Sequence, residues 1–183
     1  MITRDEGLRL IDEHISNPNL KKHMIAVSAV MKGLAGRLGE DTALWEIVGL
    51  LHDLDYEEVG EDMSRHGLVS AEMVKDLLPE EALHAIRAHN EMTGVEAESP
   101  MDYALIAADA ISGLAIATAL MMPHRTLAEV RVKSLRKKFK DKSFARNVDR
   151  DKIRYCTKLG LTLEDFFALS LEALQSVREE LGL

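Results

Sequence analysis

The chain has 183 residues, 46% apolar and 30% charged, the balance of a water-soluble globular protein long enough for one substantial core. Aromatic residues make up 4% while Ala, Leu, Met, Glu and Lys are abundant, which favours helix over sheet. One cysteine, Cys156, excludes an internal disulfide, and a net charge of −8 argues against nucleic acid as the partner.

Helix signals recur from end to end. Thr3 and Glu6 form a capping box that opens a first helix to about Ile15. Asn19 is placed to cap a second helix, with Met24, Val27, Met31, Leu34 and Leu38 as its apolar face and Gly39 as its stop. His23 lies one turn before Val27 on that face and is expected to point inward. Asp41 caps a third helix that carries Leu44, Val48 and Leu51 into His52 and Asp53. The acidic, Gly-containing stretch from Tyr56 to Ser64 reads as a loop. A fourth helix is expected from Ser64 or His66 to just before Pro79, which sits in the first turn of a fifth ending near His89 and Asn90. Glu91 to Glu98 reads as a polar loop. Ser99 and Pro100 start a long helix presenting Leu105, Asp109 and Ser112 or Gly113 on one face. Thr126 and Glu129 form a second capping box, expected to open a basic helix. Gly160 ends a further helix, and Thr162 caps the last, with Leu163, Phe166, Phe167, Leu171 and Leu174 as its stripe.

With no repeat and no linker rich in Gly, Pro or Ser, this pattern predicts an all-α fold, a single compact multi-helix domain over residues 1–183. Residues 1–6 lack an apolar signal core, and the longest apolar run, Ala104 to Met122, is broken by Asp109, Ser112 and Gly113. A cytoplasmic protein with no membrane association is the expectation. Residues 131–154 hold eleven Lys or Arg against three Asp, a local charge of +8 that leaves −16 for the remainder. Such a run is either a solvated helix face offsetting the acidic surface or a region that gathers an anionic substrate.

The most telling feature is His52-Asp53, which ends the apolar run from Trp45 to Leu51. A buried helix would continue there with Leu or Ala. A buried carboxylate needs a partner, and a metal cation is the strongest one available. His23 upstream, with His66, His89 and Asp109 downstream, supplies further ligand types.

The ordered series His23, His52-Asp53, His66, His89, Asp109 resembles the ligand signature of the HD superfamily of metal-dependent phosphohydrolases. His23-Met24-Ile25-Ala26-Val27 is similar to its first-histidine helix and Gly49-Leu50-Leu51-His52-Asp53 to its central motif. His66 and His89 resemble the additional histidines of the two-metal branch. Where the family commonly has His-Asp-Ile-Gly, this chain has His52-Asp53-Leu54-Asp55, followed by Tyr56 in place of a frequent Lys; Ala26 stands where an Arg is frequent.

The resemblance implies an HD-type domain with a motif core over about 19–115 and helices of 126–183 packed onto it. It implies one metal centre from His23, His52, Asp53 and Asp109, and a second from His66 and His89 with Asp53 bridging. Imidazole and carboxylate together suit one or two divalent cations per chain, Mn, Fe, Co, Ni, Zn or Mg. His52 and Asp53 are the expected catalytic pair. The implied reaction is hydrolysis of a small phosphate ester or nucleotide by a metal-activated water. The same ligands also suit a di-iron oxygenase, or a non-catalytic sensor of a nucleotide or metal. Arg65, Arg87, Lys142 and Arg146 are candidate contacts for the anionic, phosphate-bearing substrate. Asp55 reads either as an acceptor for a ligand histidine or as a loop charge, with the loop charge favoured; His14, His84 and His124 read as surface residues, and Cys156 shows no sign of a triad.

Overall fold

The computed structural model describes residues 2–183, and among them every regular element is helical. Helix α1 (Arg4–His14) opens with the expected capping box, both halves present. Helix α2 (Pro18–Leu38) is capped two residues earlier than expected. Asn17, not Asn19, accepts from the first backbone amides, because Pro18 lacks an N–H and fits the first helical position. It ends at Gly39 in the left-handed conformation, as the sequence indicates. Asp41 caps α3 (Thr42–Leu51).

The stretch after Asp55 is not all loop. Tyr56–Val59 forms one turn, α4, tied down where Glu57 accepts from the backbone and hydroxyl of Ser16 and the backbone of Asn17. Helix α5 (Leu68–Met73) is shorter than expected and starts only after Gly67. Helix α6 (Glu80–Ala88) follows Pro79, and α7 (Pro100–Leu120) follows the Ser99 cap. Thr126 does not open the basic helix. It caps a 3-10 turn, Leu127–Glu129, while Glu129 turns back to the backbone and ring of His124, so α8 (Val132–Lys140) starts from Arg131. A single turn, α9 (Arg150–Ile153), runs into a 3-10 stretch ended by Gly160, and α10 (Leu163–Ser176) is followed by a last turn, α11 (Arg178–Leu181).

The core is built around α2, α3 and α7. Met24, Val27, Met31 and Leu34 of α2 meet Val48, Leu50 and Leu51 of α3, all fully enclosed. Gly49 permits this contact. A Cβ there would lie 2.8 Å from the Ser28 Cα and 2.9 Å from Met31, too close for any other residue without parting the helices. Helix α7 is apolar on all sides, with Ala104, Ala107, Ala108 and Ala115 buried so that α2, α6, α9 and α10 all pack against it. It is long and apolar enough to cross a membrane, yet 67% of that stretch is enclosed by the rest of the fold. Phe166 and Phe167 of α10 close the far side of the core.

Candidate metal centre

Six side chains from five places on the chain converge at one end of the α2–α3–α7 core: His23, His52, Asp53, His66, His89 and Asp109. His52 and His89 each occupy the position just past the last turn of a helix, α3 and α6. Helix C-termini carry partial negative charge, so both present their rings where a cation is favoured. His23 comes from the second turn of α2 and Asp109 from the middle of α7. His66 is brought in by the turn before α5, which Asn90 pins by donating to the carbonyls of Met63 and His66.

The protonation pattern follows from the backbone. His52 Nδ1 lies 2.9 Å from the Gly49 carbonyl and His89 Nδ1 lies 2.5 Å from the Ile86 carbonyl. A carbonyl only accepts, so both Nδ1 atoms carry the proton and both Nε2 atoms turn a lone pair inward. The His52 Nε2 lone pair is buried with no hydrogen-bond partner. Burial keeps this ring neutral, its pKa lowered to about 4 despite the Asp53 and Asp109 charges.

Asp53 is the hub. Its Oδ1 lies 3.1 Å from His52 Nε2, 3.3 Å from His66 Nε2 and 3.5 Å from His89 Nε2, while its Oδ2 lies 3.6 Å from His23 Nε2. Burial would raise its pKa, but the imidazoles gathered around it, with protonated His66 donating to it, hold it well below the usual carboxylate range. His23 Nε2 also lies 3.0 Å from Asp109 Oδ1. There burial pulls the His23 pKa down, and the hydrogen bond and charge of Asp109 lift it further than burial lowers it.

His66 and His89 approach each other at 3.1 Å between Nε2 atoms. Two bare lone pairs repel at that distance, so something positive belongs between them. In the metal-free protein a proton serves. Burial lowers the His66 pKa, but Asp53 and Asp55 outweigh it and raise the group to about 9. A divalent cation would satisfy the same field with more charge, and would also satisfy the orphaned His52 Nε2. The residues therefore fit a metal. His23, His52 and Asp109 form one group that could hold an ion, and His52, Asp53 and His89 another; His66 lies within 3.3 Å of both Asp53 Oδ1 and His89 Nε2.

Asp55, for which the sequence favoured a loop charge over an acceptor for a ligand histidine, is fully enclosed and takes the second role. Its Oδ1 accepts from His66 Nδ1 at 2.8 Å, and its Oδ2 accepts the backbone amides of Gly67 and Ser70, each at 2.8 Å. Those bonds hold its carboxyl below the ordinary range against the effect of burial, and they fix His66 with Nε2 toward the centre. Gly67 makes room: its φ is +90°, and a Cβ would strike the Ile86 carbonyl at 2.7 Å and crowd the His89 ring. The sequence signal was a carboxylate where the family commonly has Gly.

The remaining candidates separate. The centre opens into a cleft of about 760 Å³ whose walls include Leu20, Tyr56, Met63, Asn147 and Lys152. None of Arg65, Arg87, Lys142 and Arg146 lines it. Arg65 is exposed, Arg87 pairs with Glu80 at 2.6 Å, and Lys142 and Arg146 border a neighbouring groove. Lys152 and Asn147 carried no signal beyond membership of the basic run. His14 and His124 are exposed as expected, but His84 is half-buried and sits 3.1 Å from the buried carboxylate of Asp102. Cys156 is fully buried and burial pushes its thiol up to about 11, so it is no nucleophile.

A segment of 95 residues is 33% identical to Ribonuclease Y 1 of Pediococcus pentosaceus, covering 51% of this chain. It covers 18% of that protein, so the chain spans less than a fifth of this relative's length. No solved structure matches. Residues 20–114, which contain all six converging side chains, match the HD domain family, and the chain belongs to that family.

Proposed function

We propose that this chain is a metal-dependent phosphohydrolase that cleaves a small phosphate ester or nucleotide. The observation that carries the reading is the convergence of the His52, His66 and His89 Nε2 atoms on one buried Asp53 oxygen. The HD domain family supports the reaction class, as does the ribonuclease name of the Pediococcus protein, since both concern phosphoester bonds. His23, His52, Asp53 and Asp109 would hold one cation, with His66, His89 and the same Asp53 holding a second. When bound, a divalent cation acidifies a water and offsets phosphate charge, which makes a nucleophile available at neutral pH without Ser or Cys. The protein's own part is to keep the ligand lone pairs aimed inward through the Gly49, Ile86 and Asp55 acceptors, and to enclose the centre on the α3 and α6 side.

Replacing Asp53 by Ala removes the hub while leaving a small side chain at a helix end. Elemental analysis is expected to find about two metals per chain in the wild type and far fewer in Asp53→Ala. Phosphate-ester hydrolysis should fall about a hundredfold or more with helical content retained. Full turnover by a folded Asp53→Ala protein would overturn the proposal.

The complete set of four His and two Asp also suits two irons sharing Asp53, and so an oxygenase. Iron at two per chain with an EPR signal after anaerobic purification, together with no phosphate-ester turnover under any divalent metal, would favour that second reading.

A further inference from the structure

Within the metal cleft the fixed charge is acidic: Asp53 and Asp109 at its base and Glu57 on its wall. A phosphate-bearing substrate entering there needs a cation besides the metals. Lys152 is, among the described residues, the one Lys or Arg on that wall, and it belongs to α9, well outside the 20–114 segment that matches the family.

Three features together mark Lys152 out within the basic run, although Lys138 and Arg150 share the first of them. It is half-buried, and no carboxylate among the described residues lies within 4.0 Å to pair with it. Its nearest acidic neighbours in sequence are engaged elsewhere: Asp149 caps α9, and Asp151 faces Arg154 at 3.7 Å. Lys152 and His89 are also the two residues common to the metal cleft and the adjoining groove, so its side chain stands beside a candidate ligand at the boundary between them.

The segment that carries it is held firmly. The Arg150 guanidinium donates to the carbonyls of Lys138, Phe139, Asp141, Phe144, Ala145 and Val148, folding the loop before α9 around one half-buried cation. That grip holds Ala145 at φ +44°, a conformation a residue with a Cβ avoids unless its surroundings impose it. Ile153 is fully buried, and α9 packs against α7, the helix that supplies Asp109. Asn147, in the same loop, brings an amide to the same wall.

We infer that Lys152, with Asn147 beside it, holds the anionic phosphate of the substrate over the metal centre. The inference rests on the phosphohydrolase reading above. Lys152 donates charge-assisted hydrogen bonds to phosphate oxygens and takes no part in ligating metal. Its loss therefore weakens substrate binding before it slows turnover.

The test uses the metal-loaded full chain as wild type, Lys152→Met, Lys152→Arg and the double variant Lys142→Met/Arg146→Met. Inorganic phosphate binding is measured by calorimetry, KM and kcat with a simple aryl phosphate monoester, and metal content by elemental analysis. Lys152→Met should weaken phosphate binding and raise KM by about tenfold or more, the size of one lost charge-assisted hydrogen bond. Its kcat should change less, its metal content should stay at the wild-type value, and Lys152→Arg should recover most of the affinity. The double variant should match the wild type. Unchanged affinity in Lys152→Met, a loss that Arg does not restore, or a loss accompanied by metal release overturns the assignment while leaving the phosphohydrolase reading intact. Wild-type protein that binds metal but neither binds phosphate nor hydrolyses the ester overturns both.

Discussion

Between His23 and Asp109, ionisable side chains face one another at 3.0–3.6 Å in a largely enclosed cluster. Between Arg131 and Arg154, a denser run of charges mostly faces solvent, with Leu135 and Phe139 turned inward. The cluster gathers only a handful of ionisable groups and the basic run is dense with charge, yet the cluster holds the unmet electrostatic demand. What separates them is whether the backbone has already satisfied the group. Gly49 and Ile86 carbonyls accept a hydrogen bond from Nδ1 of each of two histidines and leave the other nitrogen bare. In the basic region, Arg150 spends its donors on carbonyls of its own loop. Density of charge along a chain is thus a poor guide to function, and an unsatisfied buried lone pair is a good one.

Asp55 is where the contrast between the two regions is tested most severely. If the cluster depends on its backbone and carboxylate supports, Asp55→Ala should cost about ten- to a hundredfold in metal affinity, confined to the His66 and His89 side. Metal titration should then show one tight and one weakened site, and two tight sites would show that His66 needs no orienting partner. In the basic region Arg150→Met should act on stability instead, by on the order of 1.5–3 kcal/mol, with denaturant unfolding as the readout. Metal content should not change, since this loop reaches the cleft wall through Asn147 and Lys152 without supplying a ligand, and a loss of metal would show that it also supports the ligands.

A change of pH sharpens the contrast further. The His66 pKa is raised to about 9 in the metal-free fold, above the ordinary 6.5, so its contribution to stability is full below about 6.5 and is lost as pH rises through 9. His52, lowered to about 4, has the opposite sign: its neutral burial costs nothing above 6.5 and destabilises as pH falls from there toward 4. Metal must displace the His66 proton, so binding at neutral pH should release about one proton per chain at that site. Calorimetry in buffers of different ionisation enthalpy reads this directly, and binding without proton release would remove His66 from the ligand set. The smallest effect is expected from Lys142→Met/Arg146→Met, within about twofold of wild type in steady-state kinetics, since exposed charges away from a site contribute little.

The helical fold, most helix starts and the identity of the six converging residues are legible in the order of the amino acids alone. Those signals are local: a Ser, Thr, Asp or Asn cap reads its own first turn, and a ligand-type residue at the end of an apolar run declares its anomaly in place. Where a local signal competed with another, the reading slipped, as with Pro18 shifting the α2 cap to Asn17 and Glu129 turning back to His124 rather than to Thr126. What each remaining charge does follows from packing between distant segments. Asp55 became a buried acceptor because Gly67 and Ser70, twelve and fifteen residues on, aim their amides at it. Lys152 reached the metal cleft because Arg150 folds the loop before it and α9 docks on α7. Burial and partner distance are properties of the packed chain, and they set the energy of a charge far more strongly than its neighbours in sequence do.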